Sequence, residues 1–175
     1  KKEEMIPHII KHKDIFSKPL FTGAEDIKGK VLLLHSEQGY GDSIQFIRFL
    51  PQIKEKFGCK IAVKCREGLK ELFQTMSEID VIADRNEATP QFDYQLSIMS
   101  MPFVLGMKSI NDLPKRIPYL KSTPYKELEI KKEKGKINIG ICWSASVTGE
   151  SYEGKVFDLK FFEPLMNNPK INLYS

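Results

Sequence analysis

The strongest constraint on the fold is an apolar run that leads through a glycine-bearing loop into a stretch of helical periodicity. Residues 31–34 are Val-Leu-Leu-Leu, which is typical of a strand buried in a parallel sheet. Gly39 and Gly41 follow, and since neither carries a Cβ, the backbone can turn sharply there and a ligand can approach it closely. Apolar residues then recur at positions 46, 47, 50, 53 and 57. This order predicts a strand over 31–35, a loop, and a helix over about 42–57.

The same alternation continues along the chain. Further strands are predicted over 60–64, 79–83 and 94–99, with a helix over 67–76 between the first two of them. Strands that alternate with helices indicate an α/β fold, with a parallel sheet that carries helices on both faces. Pro51 lies inside the first predicted helix and should end or kink it, because proline lacks the backbone N–H and its ring clashes with the preceding turn.

Two polar residues follow predicted strands at what would be the same edge of this sheet. Asp42 stands at the start of the first helix, where its carboxylate can cap free N–H groups and is stabilised by the helix dipole. Open α/β sheets bind ligands at the carboxyl ends of their strands, so Asp42 is also a candidate ligand-facing carboxylate. Ser100 follows the strand over 94–99 and presents the same two alternatives, a helix cap or a contact to the ligand.

Composition excludes several classes of protein. No apolar run approaches the roughly 20 residues that cross a bilayer, and no signal-type apolar core follows the amino-terminal residues, so a cytoplasmic protein is expected. The net charge of +4 is small and spread along the chain, which does not indicate a nucleic-acid partner. Cys59, Cys65 and Cys142 lack metal-site spacing and are expected to be buried thiols. His8 and His12 lie four apart without accompanying ligands, so no metal site is predicted.

The chain divides into four predicted parts. Residues 1–28 are an irregular or partly helical lead-in, and residues 29–125 form an amino-terminal α/β domain. Residues 126–136 alternate lysine and glutamate without an apolar face, which is typical of a solvated linker. Residues 137–175 restart the strand and helix pattern as the beginning of a second domain.

Several segments, in order, resemble one family of enzymes. Residues 37–51 read E-Q-G-Y-G-D-S-I-Q-F-I-R-F-L-P, which resembles a signature of heptosyltransferase-like glycosyltransferases, glycosyltransferase family 9. The resemblance is greatest to bacterial members that carry tetratricopeptide repeats upstream. It continues at residues 90–93, 98–102, 117–120 and 139–143 and extends over roughly residues 29 to 165.

This resemblance implies a GT-B glycosyltransferase, in which two Rossmann-like domains face each other. The amino-terminal domain mainly contacts the acceptor, a glycan or a protein, and the carboxyl-terminal domain mainly holds the nucleotide-sugar donor. Asp42 would act as the general base of an inverting transfer that requires no metal or other cofactor. The further substrate-binding residues predicted in this domain are Glu37, Gln38, Gly39, Gly41, Gln45, Arg48 and Ser100. Glu37 and Gln38 would shape the loop, and Gln45 and Arg48 would bind the acceptor or support the loop. An ion pair with a nearby carboxylate is the ordinary alternative for Arg48. Upstream tetratricopeptide repeats and peripheral proximity to a membrane, without a transmembrane segment, are the further implied features.

The second domain departs from the family pattern at two points. Trp143 and Ser144 begin a loop that in the family reads W-x-G-N, but this chain lacks that glycine and asparagine. Trp143 is therefore either a ligand contact or a core aromatic residue. Lys155 stands where the family has an arginine, and it is either an exposed lysine or a cation beside the departing diphosphate. Because the chain holds only the start of this domain, it is expected to lack most of a donor site and to be inactive alone.

Two other functions compete with glycosyl transfer. A catalytically degenerate domain that binds a carbohydrate or a protein is favoured by the altered tryptophan loop. A dinucleotide-dependent oxidoreductase is disfavoured, because the loop has no third glycine at the required position. In addition, Lys64, Cys65 and Arg66 occupy the end of the second strand, where an acidic ribose-binding residue would stand.

Overall fold

The computed structural model describes residues 15–37, 39–122, 130, 132–144 and 157–174. The chain divides into two compact units, Lys1–Thr123 and Pro124–Ser175, and each is described by itself.

The first unit is built on a parallel sheet of four strands in the order β3-β2-β1-β4. The strands are β1 (Val31–His35), β2 (Lys60–Cys65), β3 (Val81–Asp84) and β4 (Tyr94–Ser97). The predicted α/β fold with a parallel sheet is confirmed. The fourth strand ends earlier than predicted, because the Ser97 hydroxyl accepts a hydrogen bond from Met99 N and turns the chain into the 3-10 turn Ile98–Ser100.

The helix that follows β1 is interrupted just before the proline. It consists of α1 (Tyr40–Phe46), the 3-10 turn Ile47–Phe49 and α2 (Leu50–Phe57), so the single helix predicted over 42–57 is wrong in detail. Pro51 is the cause, since it cannot donate to the carbonyl of Ile47 and its ring crowds that carbonyl. The predicted break at Pro51 is confirmed. Helix α3 (Lys70–Phe73) is also shorter than the helix predicted over 67–76, and α4 (Met101–Leu105) follows the turn after β4.

The four helices of this unit pack on one face of the sheet. Their buried side chains form one cluster with Leu32 and Leu34 of β1. The opposite face carries a smaller cluster of Ile15, Leu33 and Ala62, with Phe92 packed beside it. Among the described residues, α-helices therefore lie on one face and not on both as expected, and the opposite face carries the 3-10 turn Ile15–Ser17. The chain advances in one direction from β1 to β3, and right-handed crossovers then place the connecting helices on a single face.

The segment before β1 is packed against the first unit. Phe21 and Ile27, which belong to the predicted lead-in, are buried in the main core. Leu20 forms a parallel bridge with Gln95, and the Phe21 N–H donates to the Gln95 carbonyl at 2.9 Å. This segment therefore continues the pairing along the outer edge of β4.

The second unit contains a pair of parallel strands, β5 (Ile137–Gly140) and β6 (Ile171–Tyr174). The 3-10 turn Leu159–Phe162 and α5 (Glu163–Met166) lie between them in the chain. Because β5 ends at Gly140, Cys142 lies beyond the strand and is exposed, so its predicted burial is wrong. Cys59 and Cys65 are buried as predicted. Among the helices that the structure describes, none combines the length and apolar character needed to cross a bilayer.

Candidate functional site

The candidate site lies where β1 and β4 end side by side. The chain moves outward from β1 through β2 to β3 and then returns to place β4 on the other side of β1. The order of the strands therefore reverses between β1 and β4, and we name the surface at the carboxyl ends of these two strands the crevice. Open α/β sheets bind ligands in the crevice at such a switch point. The loop from His35 to α1 borders this crevice and carries the sequence motif.

Asp42 holds this loop from the third position of α1. Its Oδ2 accepts a hydrogen bond of 3.0 Å from Gly39 N, and the side chain is half-buried. The Gly39 carbonyl in turn accepts a hydrogen bond of 3.1 Å from the Ser43 hydroxyl. The capping contact foreseen for Asp42 is thus present. Its second oxygen, Oδ1, accepts no hydrogen bond from the residues that the structure describes, so one carboxylate can both fix the loop and face a ligand.

The two glycines of the loop are not required by backbone conformation. Gly39 has a φ of −67°, and neither Gly39 nor Gly41 adopts a positive φ. A Cβ at Gly39 would lie 3.3 Å from Asp42 Oδ2, whereas a Cβ at Gly41 would meet nothing within 4 Å. The chain therefore enters α1 without the left-handed conformation that glycine permits. Gly41 leaves an open surface at the amino end of α1, which agrees with the expected close approach of a ligand.

Glu37 lies at the crevice and accepts a hydrogen bond from the last residue of β4. The Ser97 hydroxyl donates to Glu37 Oε2 at 2.8 Å. Glu37 Oε1 lies 3.8 Å from His35 Nδ1, and the Glu37 side chain is 46% exposed. His35 Nε2 donates to the Gln95 side-chain oxygen at 2.9 Å. These contacts tie the ends of β1 and β4 to the start of the loop.

Buried polar side chains lie beneath Glu37 and were not predicted from the sequence. His35, Lys64 and Ser97 are matched across β1, β2 and β4 in the sheet register and lie on the face away from the helices. Lys64 is buried and donates to the Glu87 carbonyl. A partial signal was present in the sequence, because Gln95 and Ser97 alternate with Tyr94 and Leu96 in the fourth strand. Such a period places them on one face.

Gln45 and Arg48 lie further along the helix. Gln45 is exposed one turn beyond Asp42, on the same helix face. Arg48 donates to the Pro114 carbonyl at 3.0 Å and lies over the Tyr119 ring, with 5.4 Å from its guanidinium carbon to the ring centre. The ordinary alternative, an ion pair between Arg48 and a carboxylate, is not found among the described residues. Both side chains line a mainly apolar groove of about 450 Å³ that also contains Phe46, Phe49, Pro102, Met107, Lys108, Ser109, Ile110 and Leu113.

Ser100 ends the 3-10 turn after β4, which packs against α1. It occupies the position that precedes α4, but its side chain makes no capping hydrogen bond. The cap alternative for Ser100 is therefore wrong. Its proposed contact to the ligand stays a prediction.

The other predicted contacts lie elsewhere or outside the described residues. Gln38 and Lys155 fall outside them. Trp143 and Ser144 belong to the second unit, where Trp143 is half-buried and its carbonyl accepts a hydrogen bond of 2.9 Å from Phe157 N. Ser144 is exposed. Within the described part of the chain, no three histidine, cysteine or acidic side chains converge as a metal site would require.

Comparison with known proteins gives one distant similarity. No protein-family model matches the chain, and no solved structure matches it. The chain is 26% identical to Protein FlbA of Caulobacter vibrioides over 171 aligned positions, which cover 84% of this chain and 28% of that protein. It thus spans little more than a quarter of the curated relative that it matches. The name of that relative states no activity.

Proposed function

We propose that this chain is the acceptor-side part of an inverting glycosyltransferase of the GT-B type. The observation that carries the proposal is the position of Asp42. Its carboxylate stands in the first turn of α1, beside the loop after β1 at the switch point of the sheet, with Oδ2 held by Gly39 N and Oδ1 without a described donor. The motif over residues 37–51, which resembles that of glycosyltransferase family 9, supports the same assignment.

In the proposed reaction, Asp42 takes the proton from an acceptor hydroxyl. The resulting oxygen attacks the anomeric carbon of a nucleotide-activated sugar from the face opposite the leaving group. The bond between that carbon and the diphosphate oxygen breaks, and the nucleoside diphosphate departs with the electron pair. The configuration at the anomeric carbon is therefore inverted.

Each remaining part of the site has a proposed role. Cationic groups stabilise the charge on the departing diphosphate, and Lys155 is the candidate cation in the second unit. Glu37 and the groove beside Gln45 contact the acceptor, which is a glycan or a protein. Since the chain spans 28% of its relative, most of the donor site and any tetratricopeptide repeats belong to the rest of a longer protein.

A non-catalytic carbohydrate-binding domain is the second candidate function. It is favoured by the altered loop at Trp143 and Ser144, which lacks the glycine and asparagine of the family pattern. Such a domain would retain the crevice and the groove but would release no nucleoside diphosphate.

The two functions are separated by turnover of the full-length protein. The protein is incubated with a panel of nucleotide sugars and with cell-envelope extract as the source of acceptors. Release of nucleoside diphosphate together with a glycosylated product supports the transferase. Saturable binding of a sugar without release from any donor contradicts it and supports the binding domain.

A further inference from the structure

A buried polar network lies beneath the loop and has no role in the reaction as written above. His35, Lys64, Gln95 and Ser97 are only 4%, 6%, 6% and 7% exposed. Burial of polar groups is unfavourable unless they are hydrogen-bonded. A purely apolar sheet face would avoid that cost, so the polar identity of these positions calls for an explanation in terms of what they contact.

Ser97 donates a hydrogen bond to Glu37, and His35 lies beside the same carboxylate, whereas Lys64 donates to the Glu87 carbonyl. The Ser97 oxygen accepts from Met99 N at 3.3 Å, so its single hydrogen is left for the bond to Glu37 Oε2. His35 is oriented by its bond to Gln95, and this orientation turns Nδ1 toward Glu37 Oε1. Glu37 is thereby approached from β1 and from β4, the two strands on either side of the crevice.

Glu37 can accept further hydrogen bonds. A carboxylate offers about four acceptor positions, and the Ser97 bond occupies one of them. The side chain is 46% exposed although both residues that approach it are buried. A carboxylate fixed in this way suits a ligand group that donates an O–H, such as a sugar hydroxyl.

We infer that Ser97 is a positioning residue that holds Glu37 at the crevice as an acceptor of hydrogen bonds from a ligand hydroxyl. The hydroxyl is assigned to the sugar acceptor, and this part of the inference rests on the proposed function. Charge-assisted hydrogen bonds from a hydroxyl to a carboxylate are short and strong, so loss of the Ser97 hydroxyl should release Glu37.

The positioning role is tested by hydrogen exchange in the first instance. The amides of Gly39 and Ser43, which are hydrogen-bonded within the loop and α1, serve as reporters. In Ser97→Ala we expect both to exchange about tenfold faster, whereas Ser97→Thr restores the wild-type rate. Ser36→Ala is the matched control, because the buried Ser36 hydroxyl lies in the same loop and has no partner among the described residues. Equal exchange in Ser97→Ala and Ser36→Ala would overturn the positioning role.

Turnover by the full-length protein then tests the role of Glu37 toward the acceptor. We expect Ser97→Ala to raise the apparent KM for the acceptor about tenfold with little change in kcat, and to add nothing in a Glu37→Gln background. Full additivity of the two substitutions would overturn the inference. If the wild-type protein releases no nucleoside diphosphate, the proposed function fails, while the hydrogen-exchange result still decides whether Ser97 positions the loop.

Discussion

Ser97 donates a hydrogen bond of 2.8 Å to Glu37, although 60 residues separate the two in the chain. Ser97 is the last residue of β4, and Glu37 lies two residues beyond the end of β1. The bond therefore joins two neighbouring strands at the point where the strand order reverses. It ties the loop that leads from β1 to Asp42 to the end of β4.

Substitution of Gly41 distinguishes a structural requirement for glycine from a functional one. A Cβ at this position meets nothing within 4 Å, and alanine favours helix more than glycine does, so Gly41→Ala should stabilise the fold by about 0.5 kcal/mol. If a ligand approaches this surface, the same substitution lowers turnover. Urea unfolding and turnover of one preparation check both outcomes. Unchanged turnover would remove Gly41 from the ligand site.

Gly58 provides the matched contrast to Gly41. It ends α2 with a φ of 61°, in the left-handed region. Alanine is strained there, so Gly58→Ala should destabilise the protein by about 1 kcal/mol. A stabilising effect at Gly58 would contradict the conformation given for the end of α2.

The three thiols should differ in reactivity. Burial raises the pKa of Cys59 and of Cys65 to about 11, so both remain protonated at neutral pH and inaccessible to reagents. Cys142 is exposed. The native protein is titrated with a thiol-reactive dye at pH 7.5, where about one-tenth of an ordinary thiol is ionised. The dye should modify Cys142 rapidly, and it should modify Cys59 and Cys65 only when the protein unfolds. Rapid labelling that persists in Cys142→Ser would contradict this account.

Asp80 should make stability depend on pH. Burial opposes its ionisation, but hydrogen bonds from Ile61 N at 2.7 Å and from Lys54 Nζ at 2.8 Å outweigh this and lower the pKa of Asp80 below its usual 3.8. A lowered pKa in the folded state stabilises the protein above pH 3.8, and this contribution is lost as the pH falls through the folded value.

Asp80→Asn tests this dependence. Because the site is partly exposed, we expect a loss of only about 1 kcal/mol at pH 7, with the difference from wild type shrinking below pH 4. Asp26→Asn is the control, since Asp26 accepts a local hydrogen bond from Lys28 N in an exposed turn. Denaturant unfolding at several pH values measures both. A loss of stability that stays constant down to pH 2 would contradict the pKa direction.

The sequence predicted those features that depend on local pattern. The apolar run of β1 and the break at Pro51 follow from residue type alone, and both were found as predicted. The placement of α1, α2 and α3 on one face was missed, because it follows from the order of the strands and not from helical periodicity. The partner of Arg48 was missed for a similar reason, since Pro114 lies 66 residues away in the chain.

The polar network was not predicted, because the strands were identified from their apolar residues. Lys64 and Ser97 lie within the predicted second and fourth strands, but they were not predicted to be neighbours. Only the register reveals that they lie beside His35 on one face. The capping contact of Asp42 was foreseen, yet no pattern of sequence could show that it leaves Oδ1 without a described partner.

The central claim is most directly tested by Asp42→Asn in the full-length protein. Asparagine can still accept the hydrogen bond from Gly39 N, so the loop is retained while the base is lost. We predict that release of nucleoside diphosphate falls at least about 100-fold while donor affinity is unchanged, with Asp26→Asn behaving as wild type. Turnover near the wild-type rate in Asp42→Asn would contradict the assignment of Asp42 as the general base.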